Sequence, residues 1–163
     1  MKGECDKLIE NIQSSGWEAS IVATGGGSGA VHALLSHPGA SRFVLETQIP
    51  YSAEALSAYL GYAPAQGCSK ETGRLMASRA LERAHQLQVP DSKFKGMGIA
   101  CTAALQTNRQ RKGADRAFIY IKSTDREASQ VLELARGTRA EQEEALSEAL
   151  LKFIAEFVVE VEP

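Results

Sequence analysis

Apolar side chains recur every three or four positions between residues 3 and 14, at Cys5, Leu8, Ile9 and Ile12, with charges between them. That spacing predicts an amphipathic helix, ended by Gly16. Residues 20–23 form a short apolar run that suits a buried strand, closed by Thr24. Gly25, Gly26 and Gly27 follow, then a helix with Ala30, Val31, Leu34 and Leu35 on one stripe, stopped by Pro38-Gly39. The pattern alternates again over 42–49, where Phe43 and Leu45 interleave with Val44 and Glu46, and Pro50 cuts that strand. A short helix capped by Ser52 carries Leu56, Tyr59 and Leu60 inward and ends at Gly61. Ser69 caps a longer one reaching about Leu87, with Leu75, Met76, Ala80, Leu81, Ala84 and Leu87 as its buried stripe.

After Lys95, residues 96–105 are mostly small and apolar, and 95–105 reads as a fully buried central strand running into a loop. The polar, basic stretch 107–113 (Asn108, Arg109, Arg111, Lys112) reads as an exposed loop. Two strands, 116–122 and 129–136, turn at Asp125-Arg126 and make a hairpin. A last helix runs from Thr138 to about Glu160, where Thr138 and Glu141 have capping-box spacing. The order α-β-α-β-α-α-β-β-β-α predicts one α/β domain over 1–163: a three-layer α/β/α arrangement with a mixed sheet and helices on both faces.

Composition narrows the function. The 163 residues are 44% hydrophobic and 23% charged with a formal net charge of −2, so nothing electrostatic points to nucleic acid or an acidic membrane. No apolar run reaches the length of a membrane span, and the acidic start Met-Lys-Gly-Glu-Cys-Asp-Lys does not read as a signal peptide. Cys5, Cys68 and Cys101 are an odd number without metal-like spacing, which fits free thiols in a reducing cytoplasm. No metal cluster can be assembled from spacing.

The candidate chemistry centres on the glycine stretch. A strand feeding glycines that open a helix presents free N–H groups and the positive end of the helix dipole, a seat for phosphate or carboxylate. Gly25, Gly26, Gly27, Ser28 and Gly29 are the candidate ligand-binding backbone, and three consecutive glycines exceed what a tight turn needs. No Lys follows as a P-loop requires, and Ala30 stands where the dinucleotide fingerprint has its third Gly. Thr24 and Ser28 are candidate hydroxyls, with Ser28 equally suited to cap the helix, and Thr102 ends the buried strand. Tyr51 lies at a strand-to-helix junction that can face a cleft. His32 could reach the site from the helix after the glycines, whereas His85 reads as surface.

A set of short markers, in order, gives these residues a family. They are Thr24-Gly25-Gly26-Gly27-Ser28, Pro38-Gly39-Ala40-Ser41, Pro50-Tyr51-Ser52, Leu60-Gly61, Ser69 with Met76-Ala77, Gly98-Ile99-Ala100, Lys112-Gly113 and Gly137-Thr138-Arg139. From about Val22 to Phe157 the chain resembles the C-terminal domain of the competence/damage-inducible protein CinA, in a divergent branch. Several members of that family are nicotinamide mononucleotide deamidases. The resemblance implies hydrolysis of the carboxamide of nicotinamide mononucleotide or a related amide, no metal or organic cofactor, a small-molecule mononucleotide as partner, and a homo-oligomer. The family's nucleophilic Ser falls on Thr24 and its Tyr on Tyr51. Thr24 or Ser28 would be the nucleophile, Tyr51 a positioning group, and the loop N–H groups with Thr102 the ligand seat. The chain departs from the pattern at Leu56, where the family has its activating Lys, at Ala53 for Asn, and at Cys101-Thr102 for Gly-Pro. Leu cannot take a proton, so the alternative is a catalytically degenerate module that binds a nucleotide or another anion.

Overall fold

In the computed structural model, which describes residues 2–107 and 114–159, the elements follow the expected order. They are α1 (Lys2–Gln13), β1 (Trp17–Thr24), α2 (Ser28–Ser36), β2 (Val44–Gln48), α3 (Ala53–Leu60), α4 (Lys70–Leu87), β3 (Lys95–Ala104), β4 (Arg116–Lys122), β5 (Glu127–Glu133) and α5 (Arg139–Val159), with a 3-10 turn over Ala40–Arg42. The basic stretch 108–113, with its Lys112-Gly113 marker, and the expected helix end at Glu160 lie outside the described residues.

The sheet order is β2-β1-β3-β4-β5. β1 runs parallel to both β2 and β3, and β3, β4 and β5 are joined antiparallel. Side-chain alternation sorts the two faces. Trp17, Ala19, Ile21 and Ala23 of β1, Met97, Ile99 and Cys101 of β3, and Ile119 and Ile121 of β4 pack under α1, α2 and α5. Val22, Ala100 and Tyr120 point the other way, against Leu56 and Tyr59 of α3 and Met76, Ala77 and Ala80 of α4. The result is the three-layer α/β/α fold with a mixed sheet that the pattern predicts, and the sheet is open.

Several details differ from the sequence reading. β1 begins at Trp17 rather than residue 20, because Trp17 and Ala19 already pair with Lys95 and Met97 of β3. Phe43 is fully buried but precedes β2, and every residue of β2 is only half-buried, as suits an edge strand. β5 spans Glu127–Glu133 rather than 129–136, since the hairpin closes directly through the Ser123 N–H to Arg126 C=O bond. Leu35 and Leu87 are exposed, and Leu75 and Leu81 are half-buried. The face of α4 that meets the sheet is made of small residues, Thr72, Gly73, Ala77, Ala80 and Ala84, with Met76. These let the helix come close, and larger side chains are displaced to its flanks.

Three of the predicted caps hold. Ser52 accepts from Ala55 N–H at 3.0 Å and Ser69 from Thr72 N–H at 3.0 Å. At α5 the box is reciprocal: Glu141 N–H donates to Thr138 Oγ1 at 3.1 Å, and Thr138 N–H donates to Glu141 Oε1 at 2.9 Å. Ser28 does not cap α2. The N-cap is Gly27, and no side chain of its own supplies the bond.

Across the α4 face, Arg83 grips Glu46 of β2 with two bonds, Nε to Oε2 at 2.7 Å and Nη2 to Oε1 at 2.9 Å. Ser20 of β1 donates to the same carboxylate at 3.1 Å. The Arg83 guanidinium holds the Glu46 carboxyl below the usual range, against the opposing effect of burial. A carboxyl lowered in the folded state stabilises above its unfolded value, roughly pH 4.3, and loses that contribution as pH falls through the folded value. In a double-mutant cycle with Glu46→Gln and Arg83→Met, coupling of about 1–3 kcal/mol is therefore expected at pH 7. It should be lost as pH falls through the lowered folded-state value of Glu46, and urea unfolding at pH 7 and in acid checks it. Coupling that persists in acid would contradict this account.

Candidate functional site

β1 and β3 end side by side, with Thr24 paired in register with Thr102. The chain leaves β1 toward one face through α2 and leaves β2 toward the other through α3. The two loops therefore part at the carboxyl edge of the parallel strands and leave a crevice, where α/β sheets place ligands.

Gly25 turns the chain immediately after Thr24 with φ 78°, and a Cβ there would lie 1.9 Å from the Ala103 carbonyl oxygen. Only glycine permits both the positive φ and that approach of the loop to β3. Gly27, with φ 99°, then opens α2.

One part of the crevice, about 370 Å³, is lined by Thr24, Gly25, Tyr51, Ser52, Ala53, Leu56, Gly67, Cys68, residues 102–105, Thr107 and Arg139. A second part, about 540 Å³, shares Gly25, Tyr51 and Arg139 and adds Gly26, Ser28, Ile49, Ala140 and Glu143. Thr24 is 7% exposed, and its hydroxyl makes no hydrogen bond among the described residues. Ser28 is exposed on the second part. Tyr51 is 66% exposed and stands at the mouth. Leu56 is buried in the wall, so the position where the resemblance puts a Lys carries only hydrocarbon into the crevice.

Thr102 is fully buried, and its hydroxyl donates to the Gly67 carbonyl at 2.5 Å. It ties the 61–68 loop to β3. His32 is exposed on α2 with its ring 3.3 Å from Ser36 Oγ, and it lines neither part of the crevice. His85 is exposed at the far side, near Thr124. Burial and the Glu143 charge push the Cys101 thiol far above its ordinary value, so it stays protonated beneath the loop.

The structure brings in two residues to which the sequence reading gave no role. Arg139, the first residue of α5, donates to Tyr51 Oη at 3.1 Å, to the Gly25 carbonyl at 3.0 Å and to the Gln106 carbonyl at 3.1 Å. Its signal in the sequence was a cation in the first turn of a helix, where the dipole favours an acid. Glu143, one turn further on, receives the Gly27 N–H at 2.9 and 3.1 Å and the Gly29 N–H at 3.4 Å. Ser147 donates to it at 2.6 Å. The loop N–H groups that were expected to seat a phosphate thus meet a carboxylate of the chain itself. Among the described residues, no group of His, Cys, Asp and Glu could hold a metal ion, and no helix is long and apolar enough to cross a membrane.

An open α/β/α sheet with a glycine-loop crevice at the ends of its parallel strands defines the structural class. Among solved structures the α/β/α fold is shared by a CinA superfamily protein from Klebsiella pneumoniae (TM-score 0.78, 13% identity, covering 97% of this chain and 98% of that one). It is also shared by the competence/damage-inducible protein CihA from Agrobacterium tumefaciens (0.75, 19%, 94% and 95%) and a competence or damage-inducible protein from Enterobacter asburiae (0.73, 15%, 93% and 97%). The chain therefore has the CinA-like fold that the sequence markers implied. No protein-family model matches it, and no curated protein matches it by sequence.

Proposed function

We propose that the crevice binds a small nucleoside- or nucleotide-type amide without hydrolysing it. The observation that carries this reading is the surroundings of Thr24. Its hydroxyl makes no hydrogen bond among the described residues, the neighbouring wall offers Leu56 and Ala53, and the described residues that line this part of the crevice include no His, Lys, Asp or Glu. The carboxylate of the second part, Glu143, is committed to two N–H groups and Ser147. A hydroxyl needs a base beside it to give up its proton and become a nucleophile, and loss of a positioned base costs about 10²–10⁴-fold in rate. Arg139, Tyr51 and the Gly25 backbone remain as a polar rim able to orient a bound amide.

The test uses pure protein with nicotinamide mononucleotide and with its unphosphorylated riboside. At least one should raise the melting temperature, while ammonia release stays at the level of a protein-free control. Ammonia release that Thr24→Ala abolishes would overturn the proposal in favour of an amidohydrolase with Thr24 as nucleophile. Failure of both compounds to bind would also overturn it.

A further inference from the structure

Glu143 stands where a bound anion would. Three backbone-to-carboxylate contacts, from Gly27 and Gly29 at 2.9–3.4 Å, converge on it at the start of α2. This is the hydrogen-bonding and dipole environment that favours a phosphoryl group at a helix N-terminus. The carboxylate is held in place by Ser147, one turn along α5, and α2 and α5 touch at this point. A Cβ on Gly29 would lie 2.5 Å from Ser147 Oγ and 3.4 Å from Glu143 Oε2. A phosphoryl oxygen reaching the same N–H groups would have to displace this carboxylate or sit against its charge. Among the described residues Arg139 makes no ion pair with Glu143; its guanidinium donates instead to the Gly25 and Gln106 carbonyls and to Tyr51.

We infer that Glu143 is a specificity-determining residue that bars phosphorylated ligands from the glycine loop. The crevice therefore takes an uncharged or cationic amide, such as a nucleoside, rather than its phosphate. This rests on the binding reading above and names the ligand class of the same site.

Inorganic phosphate and the matched pair of riboside and mononucleotide test it, with wild-type protein beside Glu143→Ala. Phosphate should leave the wild-type melting temperature unchanged and raise that of the variant. The mononucleotide should bind the variant at least tenfold more tightly than the wild type, and riboside affinity should change less than threefold. If Glu143→Ala does not fold, Glu143→Gln carries the same comparison, since it keeps an acceptor for the Gly27 N–H and removes the charge. Wild-type protein that binds phosphate, or that binds the mononucleotide as tightly as the riboside, overturns the inference while leaving the crevice a binding site. So does a variant that gains no phosphate affinity. Absence of riboside and mononucleotide binding to wild type counts against the binding reading instead, and the phosphate comparison still decides the role of Glu143.

Discussion

Gly98→Ala is expected to destabilise the protein by about 3 kcal/mol or more, at or above the upper end of what overpacking a core costs. Gly98 sits in the middle of β3, and α4 crosses directly over it. An added Cβ would lie 2.3 Å from the Ala77 carbonyl oxygen and 2.4 Å from the Leu81 nitrogen. Both atoms are helix backbone, so no rotamer change relieves the clash and α4 must lift as a unit. Lifting it would loosen Met76, Ala77 and Ala80 from Val22 and Ala100 and open a gap on that face of the sheet. In a chain of this size about 3 kcal/mol corresponds to a fall of roughly 6–12 °C in melting temperature. Gly67→Ala, where an added Cβ meets nothing within 4 Å, is the matched control and should stay within about 0.5 kcal/mol of wild type. Equal melting temperatures for the Gly98 variant and wild type would show that α4 is not seated on the strand as described.

Gly25→Ala is expected to abolish ligand-induced stabilisation as well as to lower the melting temperature. Two costs combine. The backbone has φ 78°, a left-handed conformation that costs a residue with a Cβ about 1–2 kcal/mol. The added carbon would also lie 1.9 Å from the Ala103 carbonyl oxygen, which cannot yield without disturbing β3. The loop must therefore change course. Its carbonyl is one of the three acceptors of Arg139, and the neighbouring Gly27 N–H is the shortest backbone donor to Glu143. The thermal shift that the riboside gives the wild type should disappear in this variant. By contrast, Gly98→Ala should keep its ligand response at temperatures where it remains folded, because the glycine loop is left intact. A Gly25 variant that binds as well as wild type would place the ligand elsewhere.

The elements were legible because each is written locally. The period of Leu8, Ile9 and Ile12, the glycines after Thr24, and the caps Ser52, Ser69 and Thr138 all act within a few residues of themselves. The small apolar run of β3 told of burial on both faces, and the α-β alternation told of the layers. What could not be read was which members of a stripe lie deepest. Leu35 and Leu87 match the helical period yet are exposed; for Leu87 the reason is that the seat of α4 is set by the close fit of small residues such as Ala80 over Gly98.

The sequence by itself determined the α/β order, the mixed sheet and the place of the glycine loop, since strand, turn and helix signals are local. It also pointed to the CinA-like fold and to the apolar Leu56 where a base was expected. Only the tertiary structure decided what the loop is bound to. Gly27 and Glu143 are 116 residues apart, and Arg139 and Tyr51 are 88 apart. No periodicity or cap rule spans such distances. The packing of α5 beside α2 sets a carboxylate against the loop N–H groups, and so turns an apparent anion seat into an occupied one.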